Sequence, residues 1–267
     1  LVVVPLSFLR DVAWAALPTP VTGAPLIETH RLVFSTAPSG IAYGRPPEAA
    51  AAPTILAWAG PNAGGFAARE AEAIREAQPA ARVLEGDAAT VDAWWAALAA
   101  PGPVHLAAHL AAPPPDGGIA AGAPNWGVRL SDGVAPVASV LRYPVRSKRV
   151  LLAICAPESA VDARGASRSG FTSTVAIRWA AAFHMAGAEQ VLAPTGPLDD
   201  VAAAVFAKHL YRAGPDVDFS EAVRRAHRAT RAHWPHPAWW ASFGAWVRGP
   251  SPAIPAADVV GRRAESG

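Results

Sequence analysis

The sequence predicts an α/β domain, a mainly parallel sheet covered by helices on both faces. Three observations predict it. Short apolar runs of strand length alternate with segments of helical periodicity along the chain. The two central runs, Val104-His-Leu-Ala-Ala108 and Val150-Leu-Leu-Ala-Ile154, are apolar almost throughout instead of alternating, as parallel strands buried on both faces are. A length of 267 residues suits one large domain with a single core.

Taken in order, strands are expected over residues 1–4, 31–35, 55–59, 82–84, 104–109, 149–155, 189–193 and 243–247, each a short apolar run bounded by polar or turn-forming residues. Helices are expected between them over 67–77, 90–99, 171–186, 200–213 and 220–233, where apolar residues recur every three or four positions. Asp199 and Asp200 can accept the free amides of the helix that follows, and Ser220 with Glu221 opens the last long helix. Gly187 ends the helix before it, since only glycine turns left-handed there without strain. The proline-rich stretches 111–115 and 250–255 cannot join a ladder or a helix interior and read as loop and tail. The expected organisation is one domain over 1–249 and a Pro-rich C-terminal tail over 250–267. The chain opens on a strand without a methionine, as a piece of a longer protein would.

Composition narrows the function. The 52% hydrophobic content owes much to alanine, while ten Trp and eight Phe supply bulky core contacts. A net charge of +2 does not argue for nucleic acid, and Arg224, Arg225, Arg228 and Arg231 recur at helical spacing as one solvated face would. No uncharged apolar stretch is long enough to span a membrane, so no membrane partner is expected. One cysteine makes no intrachain disulfide, which fits a reducing cytoplasm.

That cysteine, Cys155, ends one central run, and His109 ends the other. Open α/β sheets place their active sites at the carboxyl ends of the strands, so a thiol and an imidazole there are a candidate nucleophile and base. The base converts a mostly protonated thiol into a thiolate, and backbone amides then hold the oxyanion that forms. The amides of Cys155 and of Leu110, just past His109, are the expected donors. A buried structural cysteine is the competing reading. His105 shares a strand face with His109, but no HExxH or cysteine-rich ligand set accompanies them, so no metal is expected; thiol and imidazole need no cofactor. The run Gly60-Pro-Asn-Ala-Gly64-Gly65 lacks the lysine of a P-loop and reads as a tight loop.

Seven segments stand in order along the chain: Leu1-Val-Val-Val-Pro5 followed by Ala16-Leu17-Pro18, Pro25-Leu-Ile-Glu28, Val104-His-Leu-Ala-Ala-His109, Val150-Leu-Leu-Ala-Ile-Cys155, the glycine-led helix from Gly170 to Ala188, Leu198-Asp199-Asp200 and His236-Pro-Ala-Trp-Trp-Ala-Ser-Phe243. Together they resemble the CHAT domain, a caspase-like cysteine peptidase domain associated with TPR repeats and related to separase. The resemblance implies a caspase-like three-layer sandwich and a cysteine endopeptidase of a bacterial signalling or defence pathway, with His109 as general base and Cys155 as nucleophile. Its partners would be a protein or peptide substrate and a TPR-type regulatory region or partner protein. Asp200, or Asp199 in its place, matches the aspartate that lies in the substrate pocket of separase-like enzymes and would select Arg or Lys before the scissile bond. The alternative for Asp200 is a helix-terminal acid that complements the helix dipole.

The chain departs from the family pattern at Leu110, where a glycine usually follows the histidine, at Ala156 and Pro157 after the cysteine, and at Gly196, where a tryptophan is common. These departures keep open a second function class, a catalytically degenerate CHAT pseudo-peptidase that binds proteins or peptides in the same cleft. In the active case Arg164 and Arg168, in the loop after Cys155, are sites at which the enzyme could cut itself.

Overall fold

A computed structural model gives the structure of residues 1–4, 12–35, 52–58, 60, 65–111, 127–143, 145–155, 172–195, 198–214 and 216–248. Short strands β1 (Val2–Val3) and β2 (Val33–Phe34) flank the one-turn helix α1 (Leu26–Thr29). Strand β3 (Thr54–Trp58), helix α2 (Phe66–Ala77), strand β4 (Arg82–Glu85), helix α3 (Val91–Ala99) and strand β5 (Val104–Ala111) follow. A hairpin of β6 (Gly127–Leu130) and β7 (Gly133–Pro136) precedes β8 (Arg149–Cys155). The chain continues through α4 (Thr172–Ala186), β9 (Gln190–Pro194), α5 (Asp200–Arg212), α6 (Phe219–His233), α7 (Pro237–Trp240) and β10 (Phe243–Val247).

These strands form one sheet in the order β1-β2-β10-β9-β8-β5-β3-β4. It is parallel from β9 through β8, β5 and β3 to β4, and antiparallel only where β10 meets β9 and in the β5-β6-β7 extension. The expected mainly parallel sheet between helix layers is therefore the observed one. Successive residues of the central strands serve opposite layers, as the strand period of two requires. Leu106 and Ala108 of β5, with Leu152 of β8, pack in one core with Trp94 of α3 and Trp179 and Phe183 of α4. Ala107 meets Ala71 and Ile74 of α2 on the other face, and Leu151 and Ala153 meet Phe206 of α5 and Val223 of α6 there.

Helix ends follow local chemistry. Asp199 caps α5, its Oδ1 accepting the amides of Val201 at 2.9 Å and Ala202 at 3.1 Å. Gly187, at φ 118°, closes α4 as expected. The last long helix starts one residue earlier than the sequence suggests: Asp218, not Ser220, is its cap, accepting the Glu221 amide at 3.1 Å.

The structure corrects two further expectations. The β6–β7 hairpin was not anticipated, because its strands are four residues each and their Gly and Pro residues read as loop; Asp132-Gly133 at the turn was the one cue. The arginines of α6 are not simply a solvated face. Arg228 and Arg231 both bind the Glu28 carboxylate, Arg228 at 2.7 Å, and Arg224 donates to the Glu28 carbonyl at 3.2 Å, tying α6 to α1. Among the described residues no helix is long and apolar enough to cross a membrane. The tail 250–267 lies outside the described residues.

Candidate active site

Strands β5 and β8 run side by side for six consecutive parallel pairs, from Val104 opposite Val150 to His109 opposite Cys155. Neighbouring strands lie about 4.8 Å apart, so the last pair brings the imidazole-bearing and thiol-bearing positions together at the carboxyl edge of the sheet. Alternation puts positions 105, 107 and 109 on one face, with 151, 153 and 155, under α2, α5 and α6. Register alone thus joins the two residues that the sequence singled out.

The strand does not turn after His109. It continues through Leu110 and Ala111, where β3 has already ended at Trp58, and β6 takes the vacated edge with Leu110 opposite Val128. Leu110 is thereby a ladder residue, where a turn amide was expected. The glycine-rich run after β3 is described only at Gly60 and Gly65; the latter, at φ 72°, begins α2 in a left-handed conformation. Ala156, Pro157, Arg164, Arg168 and Gly196 lie outside the described residues.

The two adjacent aspartates divide. Asp199 spends its carboxylate on the helix cap described above. Asp200, first residue of α5, lies with Oδ1 3.8 Å from Nε2 of His109. Neither side chain is sealed in: His109 is 17% and Asp200 26% exposed, so solutes reach the space beside them.

A residue absent from the sequence reasoning lies beneath them. Glu70 of α2 is buried and meets His105 Nε2 at 2.8 Å. Burial pushes the Glu70 carboxyl above its ordinary range, the His105 contact pulls it back, and the charge of Asp200 pushes it up further. The Tyr211 ring of α5 packs edge-on against His105, with centroids 5.6 Å apart. His105 is therefore committed to the structure beneath the site. Among the described residues no cluster of three or more His, Cys, Asp or Glu could hold a metal ion.

Chemically, the arrangement offers an imidazole and a cysteine position in register, a carboxylate beside the imidazole, and an accessible edge. Compared with known proteins, the chain matches the CHAT domain family model over residues 1–248. No curated protein matches it. Among solved structures it is similar to the crystal structure of the Arg-specific cysteine proteinase gingipain R, with 12% identity, a TM-score of 0.40, and coverage of 75% of this chain and 46% of that one. The chain thus spans less than half the length of that proteinase.

Proposed function

Because the chain belongs to the CHAT domain family, we propose that it is a cysteine endopeptidase in which His109 and Cys155 form the catalytic dyad. The observation that carries this reading is the register pair of His109 and Cys155 at the carboxyl edge of the parallel strands. His109 takes the thiol proton, and the sulfur attacks the carbonyl carbon of the scissile peptide bond. The proton then passes to the leaving amine as the C–N bond breaks, leaving a thioester. Water, deprotonated by His109, attacks the thioester and releases the acid and the thiol.

In this reading Asp200 recognises the residue before the scissile bond. A carboxylate in a partly closed site favours Arg or Lys, through a charge-assisted pair that water screens weakly. Its position 3.8 Å from His109 also suits a second task, stabilising the imidazolium when His109 carries the proton. Asp199, held by its cap bonds, is a poorer candidate for either. The substrate is a protein segment, the regulator a TPR-type region or partner, and the setting a bacterial signalling or defence pathway in a reducing cytoplasm.

The second reading, a pseudo-peptidase binding peptides in the same cleft, draws on Leu110, which stands within the β5–β6 ladder where the family usually has glycine. Two measurements separate the readings. The first is cleavage of fluorogenic peptides carrying Arg, Lys, Leu or Asp before the scissile bond. The second is the pH dependence of Cys155 alkylation by iodoacetamide. The peptidase reading expects cleavage after Arg or Lys that C155A and H109A both abolish, and alkylation that stays fast below pH 7 and slows in H109A. Alkylation that rises only near the free-thiol pKa of about 8.5, without cleavage, supports the pseudo-peptidase.

A further inference from the structure

At the opposite end of the sheet, where the parallel strands begin, a cavity of about 100 Å³ lies between the strand starts and helices α5 and α6. Pro103, Leu151, Leu210, Phe219 and Ala222 make its walls apolar. Three polar side chains break that lining, and one of them, Gln78, is engaged, donating from Nε2 to the Tyr211 carbonyl at 3.1 Å. Arg149, the first residue of β8, donates from Nε to Gln190 Oε1 at 2.7 Å and lays its guanidinium over the Phe219 ring, 5.1 Å from the centroid. Its other N–H groups make no ion pair with a described residue, although burial disfavours its charge and lowers its pKa. Tyr211 also lines the cavity, and its hydroxyl is buried without a hydrogen-bond partner among the described residues.

A partly buried cation without an ion pair and a buried hydroxyl without a hydrogen-bond partner, both among the described residues, are costly unless something completes them. Burial raises the Tyr211 pKa, so the phenol stays a donor at any physiological pH. The missing partner is therefore an acceptor carrying negative charge. The apolar walls call for an aliphatic body attached to it, and the volume, about three times a water molecule's share of the liquid, limits that body to a few carbons. We propose that this cavity is a binding site for a short-chain aliphatic monocarboxylate, its carboxylate received by Arg149 and Tyr211 and its chain lying against Leu151, Leu210 and Phe219. A planar carboxylate matches the forked guanidinium better than a spherical anion does. The site stands a strand length away from His109 and does not depend on peptidase activity.

The test is calorimetric titration of the full chain with acetate, butyrate, octanoate, butan-1-ol and butan-1-amine. Butyrate is expected to bind saturably and at least about tenfold more tightly than the alcohol or the amine. Octanoate should gain nothing over butyrate, because its chain exceeds the cavity. R149Q is expected to weaken butyrate about tenfold or more, and Y211F to weaken it by a smaller factor. A222L, which fills the cavity from the α6 wall without touching a charge, should abolish binding and covers the case in which R149Q does not fold. Equal binding of butyrate and butan-1-ol, butyrate binding unaffected by A222L, or no binding by any probe would overturn the proposal.

Discussion

Glu70 and His105 meet at 2.8 Å in the floor beneath His109, with side chains only 5% and 1% exposed. The contact joins helix α2 to the start of β5, on the face that carries the candidate site four residues later. Because burial raises the Glu70 pKa, its charge is a cost that the His105 contact only partly offsets. Removing one partner strands the other, whereas removing only the charge does not. E70A is therefore expected to lose about 2 kcal/mol or more of stability, and E70Q, which retains a hydrogen-bonding side chain, clearly less. Urea unfolding of both variants at pH 7 checks the order; equal losses would show that the contact is not the cause.

Asp200 has two proposed tasks that kinetics separate. As the acid that recognises a basic residue, it should affect Arg and Lys substrates selectively, and D200N should lower their kcat/KM about a hundredfold while leaving cleavage after Leu little changed. As the group that steadies protonated His109, it should lower kcat for every substrate alike and shift the pH profile. D199A is expected to act on stability alone, by about 1 kcal/mol, through the lost cap.

His227 of α6 is wholly enclosed, with Nδ1 facing the carbonyl of Trp240 and Nε2 that of Phe243, the latter at 3.1 Å. Two carbonyls favour the doubly protonated ring, but burial opposes it more strongly and lowers the pKa to about 4. The folded state then binds the proton less tightly than the unfolded chain, whose histidines titrate near 6.5. Stability from this residue is complete above pH 6.5 and declines as pH falls toward 4, by about 3 kcal/mol across the window. Chemical denaturation at pH 7, 5.5 and 4.5 should show that decline in the wild type and a reduced one in H227Q, whose side chain takes up no proton.

Gly127 opens β6 in the tightest space of the hairpin, where an added methyl would sit 2.7 Å from the carbonyl oxygen of Ala135 and collide with Val134. Backbone cannot yield there without breaking the β6–β7 ladder. G127A is expected to lower the melting temperature by several degrees, about the effect of 1 to 2 kcal/mol in a domain of this size. Hydrogen exchange should show lost protection in residues 127–136 first. An unchanged melting temperature would mean that the hairpin shifts without cost.

The alternation of strand and helix, the all-apolar central runs, the Asp199 cap and the Gly187 stop could be read directly from the sequence, since each depends on residues within a turn or two of one another. Cys155 could be located at its strand's end for the same reason, whereas the strand of His109 runs two residues further, because its pairing with β6 is not local. What tertiary structure decided was who meets whom. Parallel strands separated by crossover segments acquire their register and neighbours from packing, and so do the pairing of His109 with Cys155 and the approach of Asp200 to His109. The pairing of Glu70 with His105, residues 35 apart, carries no local signal, because a glutamate on a helix reads as solvated until the helix is laid on the sheet. The α6 arginines misled for that reason: their spacing specifies a helix face, and only the position of Glu28 decides that this face is engaged. The cavity around Arg149 and Tyr211 likewise exists only where the starts of several strands and two helices converge, so no stretch of sequence contains it.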